Sequence, residues 1–282
     1  MPVPFPPALA LCLDLLRCPT CRARLRHDRG ALRCAAGHTF DIARQGYAGL
    51  LTGARATSGD DGAMVRARER FLSTGAYAPL RAAAVRLAAG AAPERATVLD
   101  AGCGTGYHLA GLLDRLPAAR GLGMDTSVRA LRAAARAHDR AAAVTWDVFR
   151  PFPLADGVAD VVLDVFAPRN PAEFRRVLRP AGRLVVVRPT GRHLAELRGR
   201  LPAMVAVDPA KEERLRRALD PFFRAADTER VEYTVPLTGE QAADLVGMTP
   251  SAHHVGRTDL EPDGLPSGRV TVSALVTAYR TR

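Results

Sequence analysis

Val98-Leu99-Asp100-Ala101-Gly102-Cys103-Gly104-Thr105-Gly106-Tyr107-His108 runs from an apolar lead-in through an acid into three glycines spaced by small residues, and Leu109-Ala110-Gly111-Leu112-Leu113 then resumes at helical period. That is a strand, a glycine turn and a helix start in succession. Alternating glycines let a bound molecule approach the backbone where a Cβ would collide, and they tolerate positive φ. The helix start beyond offers free N–H groups and a positive dipole end. About twenty residues on, Gly121-Leu-Gly-Met-Asp125 reads as a second strand whose terminal acid is placed to accept from ribose hydroxyls.

The rhythm continues. Ser127 to His138 is an amphipathic helix, and Ala143 to Asp147 is a third strand ending in an acid. Asp147 there can accept from an adenine amino group while the N–H of Val148 donates to a ring nitrogen. Asp160 to Phe166 is a buried fourth strand closed by Ala167-Pro168-Arg169-Asn170-Pro171, Glu173 to Leu178 a helix, and Gly182 to Arg188 a fifth strand. Strands alternating with helices in this way make a parallel α/β sheet with ligands outside the strand C-termini. A dinucleotide fold asks for G-x-G-x-x-G. The spacing here is Asp-x-Gly-x-Gly-x-Gly, which resembles motif I of class I S-adenosylmethionine (AdoMet) methyltransferases. The competing reading is another nucleotide site, or a merely tight turn. The resemblance implies a Rossmann-like, seven-stranded, mostly parallel sheet, with Asp100, Gly102, Gly104, Gly106, Asp125, Asp147 and Val148 against the cofactor.

The chain has 282 residues, enough for one large domain or one with a small satellite. It contains no apolar run long enough to span a membrane, and its apolar, proline-rich start lacks the basic region of a signal peptide. A cytoplasmic location is the expectation. The net charge is +11, carried almost entirely by arginine, and favours a polyanionic partner such as nucleic acid. Five cysteines in such a chain argue against a disulfide framework.

Four metal-ligating residues are spaced for a single ion. Cys18-Pro-Thr-Cys21 is followed by Cys34-Ala-Ala-Gly-His38, matching a closed tetrahedral zinc site. Between the pairs, Arg22 to Arg26 and Ala31 to Arg33 read as short strands around an Asp28-Arg29-Gly30 turn. So small a piece has too little core to fold without the metal. Cys12 and Cys103 read as buried fillers. Residues 17 to 55 hold Arg17, Arg22, Arg24, Arg26, Arg29, Arg33, Arg44 and Arg55 against Asp28 and Asp41. This is either a phosphate grip or a solvated face.

The expected organisation is a zinc-binding module at 1–55, connector helices at 56–95 and the α/β domain at 96–282. Thr52 to Gly62 reads as a flexible loop, Met64 to Leu72 and Arg81 to Ala89 as helices. Tyr77, just before the α/β domain, is either an ordinary packed tyrosine or a cofactor contact. His193, near a helix start after Pro189, is either a surface residue or a ligand for the cofactor's carboxylate. Lys211 to Leu219 and Thr238 to Val246 read as helices, Val231 to Leu237 and Val270 to Tyr279 as antiparallel closing strands, and Met248 to His254 as a loop beside the substrate.

Taken together, the Cys18/Cys21/Cys34/His38 knuckle, His38 to Tyr47, Arg68 to Leu80, Asp100 to Gly106, Val165 to Pro171, His193 to Leu197 and Met248-Thr-Pro250 resemble the RlmA/TlrB family of 23S rRNA guanine-N1 methyltransferases. Val-Phe-Ala-Pro-Arg-Asn-Pro is nearer the actinobacterial macrolide-resistance branch. The chain departs from that pattern at Asp164 and over Thr52 to Met64. The resemblance implies AdoMet and zinc as cofactors and Tyr77, Gly104, Thr105 and His193 as AdoMet contacts. It also implies a substrate guanine in a 23S rRNA hairpin loop and resistance to tylosin-type macrolides. No membrane partner is expected, and a homodimer stays open. Asp164, Asn170 and the carbonyls of Ala167 and Pro168 are the expected base-reading edge, with Asp164 as candidate general base. A small-molecule AdoMet methyltransferase of antibiotic biosynthesis, or a non-catalytic RNA-binding protein retaining AdoMet affinity, are the alternatives.

Overall fold

The computed structural model describes residues 5–53, 59–90, 92–205, 208, 210–256 and 265–282. A short helix α1 (Pro7–Cys12) precedes a ribbon of three antiparallel strands, β1 (Leu25–Asp28), β2 (Ala31–Cys34) and β3 (Thr39–Asp41). Arg29 and Gly30 join β1 to β2 with φ of 49° and 82°, the positive pair that matches the twist of a two-residue hairpin. The first strand starts three residues later than its sequence pattern indicates, because Arg22 itself takes a positive φ of 63°. Its guanidinium then reaches the carbonyls of Phe152 and Leu154, at 2.5 and 2.9 Å. The third strand is too short for alternation to announce it.

The ribbon is built onto the larger sheet. Leu25, Leu32 and Phe40 share one apolar core with Leu122, Val144 and Trp146. The N–H of Arg17 donates to the carbonyl of Pro153 at 2.8 Å, and that of Ala155 to Leu15 at 2.9 Å. Ala48 forms a parallel bridge with Val144.

Helices α2 (Gly62–Ser73) and α3 (Ala78–Ala89) follow. Asp61 caps α2, its carboxylate accepting from the N–H groups of Ala63 and Met64 at 2.7 and 2.9 Å. The sheet comprises β4 (Thr97–Ala101), β5 (Arg120–Asp125), β6 (Ala141–Thr145), β7 (Ala159–Val165), β8 (Leu178–Pro189), β9 (Phe223–Leu237) and β10 (Gly268–Thr281). Its order is β6-β5-β4-β7-β8-β10-β9. The first five strands in that order are parallel, and β10 runs antiparallel to both β8 and β9. Every residue of β4, β6 and β7 is buried, as a parallel strand covered on both faces requires. β6 ends at Thr145, two residues before the sequence pattern places its end, so Asp147 lies in the loop beyond it.

The remaining helices are α4 (Tyr107–Arg115), α5 (Val128–Ala134), α6 (Pro171–Val177), α7 (Ala195–Arg200), α8 (Lys211–Leu219) and α9 (Gly239–Gly247). Among the described residues two large apolar cores cover the sheet, with a smaller cluster around Leu131. The core of Val98, Val185, Val187, Val276 and Leu80 covers one face. The core of Leu99, Val186, Phe174 and Leu219, continuous with the ribbon, covers the other. Chain order reverses between β4 and β7, which opens the crevice outside their C-terminal ends. Part of the Thr52–Gly62 loop and Arg55 lie outside the described residues. Among the described residues no helix is long and apolar enough to cross a membrane.

Candidate active site

The glycine turn sits at the mouth of that crevice. Gly102, Gly104 and Gly106 take φ of 79°, 53° and 82°. A Cβ on Gly102 would lie 2.6 Å from the Cβ of Ala167, so the turn and the loop after β7 approach as closely as backbone allows. Asp125 braces the turn: one carboxylate oxygen accepts from Gly104 N–H at 2.9 Å and the other from Ser127 N–H at 2.8 Å. Burial, helped by the neighbouring Asp125 charge, pushes Asp100 up to about 7.

Between turn and loop lies a cleft of 520 Å³ lined by Gly102, Gly104, Asp125, Trp146, Asp147, Val148, Phe149 and Phe166 to Pro168 among others. Phe149 is 65% exposed there. Phe166 takes a positive φ of 53°, a conformation costly for a bulky side chain. A narrower inner recess is lined by Arg68, Tyr77, Asp100, Thr105 and His108. Arg68 pairs with Asp60 at 2.5 Å and donates to the carbonyl of Met248 at 2.7 Å.

Tyr77 and His193 form a buried couple, with Tyr77 Oη 3.3 Å from His193 Nε2. His193 Nδ1 accepts the backbone N–H of Ser273 at 3.1 Å. Since that N–H can only donate, the imidazole proton belongs on Nε2 and points at Tyr77 Oη. The phenol proton is left to be donated elsewhere. Burial lowers His193 to about 4, which keeps the ring neutral.

These residues fit AdoMet. Two polar atoms at the recess, Arg68 Nε and His108 Nδ1, are buried with no hydrogen-bond partner among the described residues, as expected of groups awaiting a ligand. A buried carboxyl without an ion pair among the described residues, Asp100, faces the same recess. A zwitterionic, sulfonium-bearing ligand supplies both signs.

The ribbon brings its four donors to one point. Cys18, Cys21, Cys34 and His38 have ligand atoms within 4.8 Å of one another. Cys21 Sγ and Cys34 Sγ are 3.7 Å apart, and His38 Nδ1 is 3.5 Å from Cys18 Sγ and 3.3 Å from Cys34 Sγ. A zinc tetrahedron with its usual bond lengths spaces two sulfurs by ~3.8 Å and sulfur from nitrogen by ~3.5 Å. The set fits zinc, with His38 ligating through Nδ1.

Comparison with known families places both halves. Residues 16–55 match the RlmA N-terminal zinc-ribbon family and residues 98–185 a methyltransferase domain. The 23S rRNA (guanine(748)-N(1))-methyltransferase of Streptomyces fradiae is 48% identical over 85% of this chain and 86% of its own. A Micromonospora griseorubida protein described as a 23S rRNA (guanine-N(1)-)-methyltransferase is 46% identical over 96% of this chain and 98% of its own. The chain belongs to the 23S rRNA (guanine-N1)-methyltransferase family. Its fold also matches a chain from the complex of the Haloferax volcanii Trm112 methyltransferase activator with a methyltransferase. That likeness has 20% identity and a TM-score of 0.51, covering 79% of this chain and 99% of that one.

Within this methyltransferase, the structure gathers Tyr77, Asp100, Gly102, Gly104, Thr105, Asp125, Asp147 and Val148 around one cleft and recess. Gly106 sits behind them at the N-cap of α4. His193 stands behind Tyr77 rather than in the lining. The helix its sequence suggests begins only at Ala195, after Leu194 in a left-handed turn. Asp164 and Asn170 stand outside the lining of the cleft and the recess. Asp164 is wholly buried at the end of β7, its carboxylate 3.0 Å from Arg169 Nε. Asn170 caps α6 by accepting from Glu173 N–H and donates to the carbonyl of Val148 at 3.0 Å. Both hold the loop that carries Ala167 and Pro168. Sequence reasoning missed Arg68 and Asp60. The apolar Met64 and Leu72, four residues either side of Arg68, were a usable signal, since i and i+4 share a helix face.

Proposed function

We propose that this enzyme transfers the methyl group of AdoMet to N1 of a guanine in 23S rRNA, presented unstacked from a hairpin loop, and that the product weakens binding of tylosin-type macrolides. The observation that supports it most is the near full-length similarity to relatives named for that reaction. When bound, AdoMet supplies a methyl already activated by its sulfonium.

The chain's own task is then positioning. We assign Arg68 and the Tyr77 hydroxyl to the carboxylate of the cofactor's methionine, with His193 holding Tyr77 in place. Asp100 is assigned to the cationic end, Asp125 to the ribose, and Asp147 with the N–H of Val148 to the adenine. Phe149 and Phe166 offer aromatic faces to an unstacked base. The carbonyls of Ala167 and Pro168 would accept from the guanine's N1–H and exocyclic amino group, and the N1 proton would pass to solvent as AdoMet gives up its methyl to N1 and departs as the neutral thioether. Asp164 and Asn170 act as positioning residues for that loop.

We divide the chain into the zinc module at 1–55, the connector at 56–95 and the methyltransferase domain at 96–282. Beside the ribbon a groove of 710 Å³ is lined by Arg17, Arg24 and Arg26, which supports the module as the RNA grip. Transfer of a labelled methyl to a 23S rRNA hairpin transcript, with a free macrolide as competing acceptor, tests the reading. Label in the RNA alone is expected; label in the macrolide alone would overturn it.

A further inference from the structure

Three arginines outside the cleft converge on a second cavity. It has a volume of 310 Å³ and is lined by Arg169, Arg188, Arg230, Leu275, Asp208 and Glu212, with other residues of the β8 end. Leu275 of β10 stands opposite Arg188 of β8 in one register and opposite Arg230 of β9 in the other. Directly opposed residues point to the same face. Arg188 and Arg230 therefore flank Leu275 in one row, their Cα atoms roughly 10 Å apart across two strand spacings. This is the face that also bears α8 and the ribbon, since Val186 and Leu184 of β8 join that core.

The cavity and the cleft are lined by consecutive residues of one loop. Phe166, Ala167 and Pro168 line the cleft, while the next residue, Arg169, lines the cavity. Buried Asp164 holds Arg169 there. Arg188 is only 15% exposed, its Nε is buried without a hydrogen-bond partner among the described residues, and its Nη2 bonds Glu212 at 2.7 Å. The acids are otherwise engaged or exposed. Asp208 pairs with Arg214 at 2.6 Å, and Glu212 is 65% exposed on α8. In the next row Glu232 is taken up by Ser273 and Arg192.

A row of guanidinium groups one residue from the base-reading loop matches a phosphodiester adjoining the methylated base. We infer that Arg169, Arg188 and Arg230 form a subsite for an RNA backbone phosphate flanking the target guanine, with Glu212 occupying Arg188 until the RNA arrives. This rests on the reading of the enzyme as an rRNA methyltransferase.

The test is methyl transfer to the hairpin transcript by the zinc-loaded full chain, with AdoMet binding followed separately by calorimetry. Arg188→Gln with Arg230→Gln is expected to raise KM for RNA about tenfold or more and to take about one unit per arginine from the slope of log affinity against log salt, with AdoMet affinity unchanged. Glu212→Gln is expected to lower KM for RNA several-fold, a gain that loss of fold cannot imitate. An unchanged KM and salt slope in the double variant, with the wild type active, would overturn the subsite. So would unchanged or weakened RNA binding in Glu212→Gln. An inactive wild type would instead strike the underlying reading. Inorganic phosphate as a competitor separates the sources of the charge. Inhibition at micromolar phosphate would assign the cavity to a free anion and overturn the RNA assignment, whereas inhibition no stronger than equal ionic strength of chloride is expected.

Discussion

Asp100 is an acid with 2% of its surface exposed and no ion pair among the described residues. Burial and the nearby Asp125 raise it to about 7, so near neutrality much of it is protonated in the free protein. A cationic ligand favours the ionised form and draws the proton off. Affinity for AdoMet should therefore rise with pH between about 6 and 8 and level off above, with a proton released on binding. Calorimetry in buffers of different ionisation enthalpy reads both, and Asp100→Asn should flatten the profile. An affinity independent of pH in the wild type would contradict the assignment. Tyr77 and His193 make a separate prediction. The Ser273 N–H fixes the His193 proton on Nε2, so nitrogen NMR should show a neutral ring with unprotonated Nδ1 at pH 6. Tyr77→Phe should weaken AdoMet binding by about tenfold, the value of one hydrogen bond to a charged group.

At the scale of elements, the β4–α4 turn and the ribbon each depend on one feature. Gly102→Ala puts a Cβ into Ala167 at positive φ. It should cost about 1–2 kcal/mol in backbone strain alone and abolish AdoMet binding. Gly30→Ala, also at positive φ but with nothing within 4 Å, should cost stability without touching AdoMet affinity; thermal melts and calorimetry on the two variants separate clash from strain. Zinc removal by a chelator should release a single ion and abolish transfer to RNA, while calorimetry still detects AdoMet, because the glycine turn belongs to the other element. The parallel strands were legible because their apolar runs end in acids and glycines at a fixed rhythm, and the four zinc ligands because their spacing is local. The site's finer arrangement was not. Asp164 reads in sequence like any strand-terminal acid, and its pairing with Arg169 depends on how the loop after Val165 turns. Phe166 at positive φ carries no local signal. The Arg188–Leu275–Arg230 row joins residues far apart in the chain and exists only through strand register.

Across the whole molecule, a net charge of +11 is distributed in part as arginines beside the ribbon and beside the cleft. Counterion release then makes RNA affinity fall steeply with salt. Arg24→Gln with Arg26→Gln should raise KM for RNA and reduce that slope by about two units, leaving AdoMet affinity as it was; equilibrium binding at several salt concentrations checks it. The central claim is that this basic, zinc-bearing enzyme places a methyl on N1 of one guanine of 23S rRNA. A methyl there blocks the edge that a reverse transcriptase must read. Primer extension across 23S rRNA from cells with and without the gene should show one stop at a guanine, present only with the gene. Identical extension through every guanine in both strains would contradict it.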